Sequence, residues 1–112
     1  MHKVNIKPLS VNEAWQGRRF KTQQYKRYER DLLMLLPKIE IPPGDLQVTF
    51  TVGYSNANAD IDNFVKPTVD VMQKRYGFND RRITRLVIDK VIVPRGMEYF
   101  SFEVDQRPSF TQ

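Results

Sequence analysis

Leu46-Gln47-Val48-Thr49-Phe50-Thr51-Val52-Gly53-Tyr54 alternates without a break. Its apolar side chains fall at 46, 48, 50, 52 and 54, the period of two that puts them on one face of a β-strand. The rest of the chain can be laid out from this strand. Behind it, Pro42-Pro43-Gly44-Asp45 is a strong turn signal. Ahead of it, residues 55–59 leave as a loop. Residues 58–80 then concentrate acid: Asp60, Asp62, Asp70 and Asp80 are four of thirteen acidic residues, in a chain of formal net charge +5.

A helix follows the loop. Phe64, Val65, Thr68, Val69, Met72 and Tyr76 share one face of it. Pro67 is tolerated only near the first turn, so the start is expected at Asn63 or Phe64, and Gly77 stops the helix. Upstream, Tyr25, Tyr28, Leu32, Leu35 and Leu36 predict a second amphipathic helix, with Thr22 as N-cap and Pro37 at its end. Residues 4–7 read as a short strand closed by Pro8, and residues 15–20 as a brief hairpin or extended segment. Downstream, 83–93 is a strand rich in β-branched residues, Pro94-Arg95-Gly96 a turn, and 97–104 a strand alternating back. That pair is expected as an antiparallel hairpin, and 105–112 as a loose tail. The fold class is therefore α+β: a small mixed β-sheet with a C-terminal hairpin and two main helices. The 112 residues suit one domain.

Composition narrows the function. There are no cysteines, so disulfides, thiolate metal sites and cysteine nucleophiles are excluded together. No apolar run approaches the roughly 18 residues of a membrane span, and the N-terminus lacks a signal peptide's apolar stretch. The expected location is cytoplasmic, with no membrane partner. Basic residues cluster. Residues 1–30 hold Lys3, Lys7, Arg18, Arg19, Lys21, Lys26, Arg27 and Arg30 against Glu13 and Glu29, and a second group follows the acids: Lys74, Arg75, Arg81, Arg82 and Arg85. Such charge favours a polyanion through counterion release. Solvated surface charge accounts for the composition equally well.

Elimination leaves carboxylate chemistry. The only histidine is His2, at a terminus, so triads built on histidine have no support. The five glycines form no phosphate loop, and no organic cofactor is implied. In extended chain, residues i and i+2 point the same way, so Asp60 and Asp62 can face one spot. Two close carboxylates need a proton or a cation between them, and hard oxygen ligands select magnesium or manganese. Asp80, beyond one helix, can return to the same neighbourhood. Asp60, Asp62 and Asp80 are thus candidate metal ligands. Lys66 falls near the first helical turn, where its ammonium can reach a phosphate oxygen. Asp70, at i+4, can orient it. Ordinary readings stand beside these: Asp-x-Asp before a helix also serves as a cap, Lys66–Asp70 as a surface pair, and Asp80 as a turn residue.

Taken together, Asp60-Ile61-Asp62-Asn63-Phe64-Val65-Lys66, then Asp70 and Asn79-Asp80, resembles the RusA family of Holliday junction resolvases. The family shows an Asp-x-Asp-Asn-x-x-Lys core, a further aspartate at the position of Asp70, and an Asn/Asp-Asp pair after the helix. Pro8-Leu9-Ser10-Val11-Asn12 is similar to its N-terminal Pro-x-Ser-x-Asn signature, residues 22–30 match its basic helix, and Lys90 matches a strand lysine. The resemblance covers roughly residues 4–104. It implies a small α+β homodimer, often phage- or prophage-encoded, that cuts four-way DNA junctions by paired symmetric nicks with magnesium, or with manganese in its place. It makes Asp60, Asp62 and Asp80 the metal-binding catalytic acids and Lys66 essential to cleavage, with Asp70 and Asn63 in support. DNA would be held by Arg18, Arg19, Lys21, Lys26, Arg81, Arg82 and Lys90. One departure is clear. Family members often carry a basic residue just before the first aspartate, and residues 55–59 contain none. A non-catalytic basic DNA-binding protein, or a nuclease for other branched DNA, are the competing readings.

Overall fold

A computed structural model describes residues 1–16 and 20–108. Arg18 and Arg19 lie outside the described residues. The first strand, β1 (His2–Val4), is shifted from the expected 4–7. Its residues pair antiparallel with Phe102, Ser101 and Phe100, and the Ile6 N–H then folds back onto the Val4 carbonyl at 3.0 Å, which takes the chain out of the ladder. Ser10 caps the short helix α1 (Val11–Ala14) by accepting from the Asn12 N–H at 3.2 Å. Strands β2 (Trp15–Gln16) and β3 (Phe20–Lys21) pair antiparallel, the brief hairpin the sequence suggests.

Helix α2 (Gln23–Leu35) opens at Thr22, whose hydroxyl accepts from the Tyr25 N–H at 3.1 Å. Tyr25, Tyr28, Leu32 and Leu36 are buried, whereas Leu35 is half exposed. A stripe advancing by three and four residues from Tyr25 reaches Leu36 and turns Leu35 away from the core. Strand β4 (Leu46–Tyr54) is as expected, with Leu46, Val48, Phe50 and Val52 completely buried. Helix α3 (Val65–Tyr76) starts one residue beyond Phe64 and ends at Gly77, whose φ of 75° is the left-handed geometry of a C-terminal cap. Pro67 lies in its first turn, and Val71 joins the expected buried face. A 3-10 turn (Asp80–Arg82) leads into β5 (Ile83–Ile92), and β6 (Tyr99–Gln106) closes the described chain.

Among the described residues the main sheet runs β1-β6-β4-β5. This corrects the C-terminal hairpin. β5 and β6 do not pair: β4 lies between them, parallel to β5 and antiparallel to β6. The β-branched run of 83–93 and the alternation of 97–104 report strand character and not a partner. β4, buried at every second residue, takes the central place, and residues 93–98 bridge over its end. The expected loose tail is corrected in part. Asp105 and Gln106 are opposite Gln47 and Leu46, and the Arg107 N–H continues to the Asp45 carbonyl at 2.8 Å.

One hydrophobic core joins the sheet to the helices. Phe64 is its link to the acidic stretch. It packs edge-on against Phe50 at 5.0 Å and near Phe100 at 6.0 Å. The Tyr28 hydroxyl meets the buried Thr68 hydroxyl at 2.7 Å and ties α2 to α3.

Candidate active site

The acidic turn is held from three sides. Asn63 N–H closes onto the Asp60 carbonyl at 3.3 Å and Val65 N–H onto the Asp62 carbonyl at 3.0 Å. Asp60 to Asn63 is therefore a turn, not the extended chain from which a common direction for the two carboxylates was argued. Phe64 anchors this turn in the core. The Val11 N–H donates to the Asn63 carbonyl at 2.7 Å, so the Pro8–Asn12 segment braces it from outside. The Tyr54 hydroxyl reaches toward the Ile61 carbonyl at 3.5 Å. Burial pushes this phenol up to about 12; a backbone hydrogen bond at Phe64 pulls the other way, and the charges of Asp62 and Asp60 add to the rise.

Asp62, Asn63, Lys66, Asp70 and Asp80 all line one open cleft of about 610 Å³, together with Val11, Val65, Val69 and the first residues of β5, Ile83 to Leu86. The cleft follows α3. Asp62 stands before the helix, Lys66 and Asp70 on it, and Asp80 beyond its end. Asp60 is exposed and is not part of this lining. Among the described residues, no three acidic or histidine side chains stand close enough together to hold one metal ion. Magnesium, however, takes one or two carboxylates and keeps several waters. Asp62 and Asp80, exposed carboxylates that line one cleft, are hard oxygen donors of the kind magnesium takes.

Lys66 Nζ lies 2.9 Å from Asp70 Oδ1, the i+4 pair the spacing predicts. The lysine is largely exposed, so the pair contributes only about 0.3–0.5 kcal/mol. Its consequence is orientation. Gln73, which the sequence reading passed over, donates from Nε2 to the same Asp70 oxygen at 3.4 Å. The signal that could have found it is its i+3 spacing from Asp70. Arg85, also in the cleft lining, carried no comparable signal.

The expected DNA-binding residues divide. Lys21 pairs with Glu29 at 3.1 Å, and Lys74 holds the other oxygen at 2.8 Å. Burial pushes the Glu29 carboxyl up, but the hydrogen bonds from Lys74 and Lys21 outweigh it and hold it below the usual carboxylate range. Arg82 donates to the Gly44 carbonyl at 2.9 Å and to that of Pro42, fastening the turn before β4. Lys90 donates to the carbonyls of Ala57 and Ala59 at 3.0 and 2.6 Å. Lys26 and Arg81 are exposed and belong to no ion pair among the described residues.

The family model described as Endodeoxyribonuclease RusA matches residues 7–96. The chain belongs to this family. The match takes in the Pro8–Asn12 brace, the acidic turn, Lys66, Asp80 and Lys90. No curated protein matches the chain. As a RusA endodeoxyribonuclease, the protein is a hydrolase that breaks phosphodiester bonds within DNA. No helix among the described residues is long and apolar enough to cross a membrane.

Proposed function

We propose that the protein resolves four-way DNA junctions by magnesium-dependent cleavage in the cleft along α3. The observation that carries this reading is the joint presence of Asp62, Lys66, Asp70 and Asp80 on that one cleft, in a chain of the RusA family. Asp62 and Asp80 would hold the metal ion. Asp60 enters as a third acid on its place in the motif, two residues before Asp62, and not on the cleft. Magnesium, or manganese in its place, would supply an activated water and offset charge on the phosphate. Lys66 donates a hydrogen bond to a non-bridging phosphate oxygen as charge gathers there. Asp70 keeps that ammonium turned into the cleft. The water oxygen would bond to phosphorus and shed a proton to solvent, one P–O bond to a sugar oxygen would break, and that leaving oxygen would take up a proton from solvent, so that the two balance.

Paired nicks in a two-fold junction call for two sites related by two-fold symmetry, so a homodimer belongs to the same proposal. Of the basic residues expected to hold DNA, exposed Lys26 and Arg81 offer charge to the backbone that no ion pair among the described residues consumes. The test is cleavage of a synthetic four-way junction, a flap and a plain duplex, each with and without magnesium. Junction-selective, magnesium-dependent nicking at paired positions supports the proposal. Equal cutting of the flap transfers the protein to branched DNA in general, and binding without any nicking overturns the catalytic reading.

A further inference from the structure

Gln73 lies on α3, three residues after Asp70, and its carboxamide is used at both ends. Nε2 donates to Asp70 Oδ1 at 3.4 Å, the oxygen that also receives Lys66 Nζ at 2.9 Å. Oε1 accepts the backbone N–H of Asp80 at 2.9 Å. That second bond matters because of where Asp80 sits. It opens the 3-10 turn, whose cap, the Asn79 side chain, is spent on the Arg81 N–H. The first N–H groups of such a turn have no partner within it. Gln73 supplies the partner for Asp80, across the reversal made at Gly77. The loop from Gly77 to Asn79 is thereby fastened back onto the helix at the level of Gln73.

From these contacts we infer that Gln73 is a positioning residue of the cleavage site. Its carboxamide ties Asp80 to the Lys66–Asp70 pair, so that the acid and the ammonium keep a fixed spacing along the cleft. An amide suits this task. It is neutral beside two carboxylates, and it donates at one end while accepting at the other. A carboxylate at 73 would repel Asp70, and an apolar side chain would leave the Asp80 N–H without its acceptor. The inference rests on the cleft being the cleavage site.

The test uses Gln73→Leu and Gln73→Glu in the full chain, with thermal unfolding followed in parallel. Two readouts separate positioning from bulk stability. The first is hydrogen exchange at the Asp80 amide by NMR, without metal or DNA. Gln73→Leu exchanges at least about tenfold faster than the wild type, whereas Gln73→Glu, which keeps the acceptor oxygen, retains the protection. The second is junction cleavage well below the unfolding temperature. Gln73→Leu loses about 10–100-fold in kcat or in apparent magnesium affinity, the usual cost of removing an outer-shell partner. Its metal-free junction binding stays within about twofold of wild type. Equal Asp80 exchange in wild type and Gln73→Leu overturns the tie itself. Full cleavage by Gln73→Leu overturns its role in the site. A wild-type protein that cuts no junction overturns the reading of the cleft, and Gln73's part in cleavage with it, while the exchange experiment still decides the contact.

Discussion

Lys90 Nζ lies 2.6 Å from the carbonyl oxygen of Ala59, the residue before Asp60. A second bond to the Ala57 carbonyl makes the lysine a clasp from β5 onto the loop that delivers the acidic turn. Its charge is directed at the protein. Lys90→Met keeps the stem and removes the donors. It is expected to lower junction cleavage about tenfold, in the range for loss of a supporting partner, with little change in binding. A lysine that contacted phosphate would behave differently: binding would weaken and the salt dependence would drop by about one phosphate contact. Measuring affinity against salt for wild type and Lys90→Met separates the two.

Phe64 joins the acidic turn to the core. It is fully buried and makes ring contacts with Phe50, Tyr54 and Phe100. Phe64→Ala is expected to cost about 3–5 kcal/mol, the range for truncating a buried aromatic. Denaturant unfolding measures it. Phe64→Leu, which fills part of the space, should lose less and recover part of the cleavage activity, because the turn keeps its anchor.

Alkaline pH should unfold the protein through its tyrosines. Burial is the first cause that raises Tyr25, Tyr28, Tyr54 and Tyr76 above their ordinary value of 10.0, with Tyr54 at about 12. The folded state thus favours the neutral phenol. Its contribution is fully present below pH 10 and is lost as pH rises toward and through the folded values. Phenolate absorbance followed beside circular dichroism is expected to show these tyrosines ionising with loss of structure. Complete ionisation of a still-folded protein near pH 10 would contradict the burial.

Local features were legible in the sequence, and pairings were not. Strand 46–54, the Thr22 cap, the Gly77 stop and the Lys66–Asp70 pair all depend on neighbours within a few residues, and spacing reveals them. The partner of β5 depends on which strand occupies the centre of the sheet, and the β-branched run of 83–92 would read the same beside β4 as beside β6. The extended geometry assumed for Asp60 to Asp62 was displaced by two consecutive turns, which the Phe64 anchor and the Val11 brace favour from outside the motif. Composition counts charges, but Arg82 and Lys90 spend theirs on backbone carbonyls. Gln73 escaped notice because its partner at Asp80 is brought to it only by the reversal after α3.

The most direct measurement is four-way junction cleavage by Asp62→Asn beside the wild type, with junction binding recorded for both. Asparagine keeps the size of the side chain and removes its negative charge from the cleft. Magnesium-dependent cutting by the wild type, loss of cutting by Asp62→Asn, and binding retained in both are the expected results. Normal cutting by Asp62→Asn would contradict the assignment of the cleft as the site of cleavage.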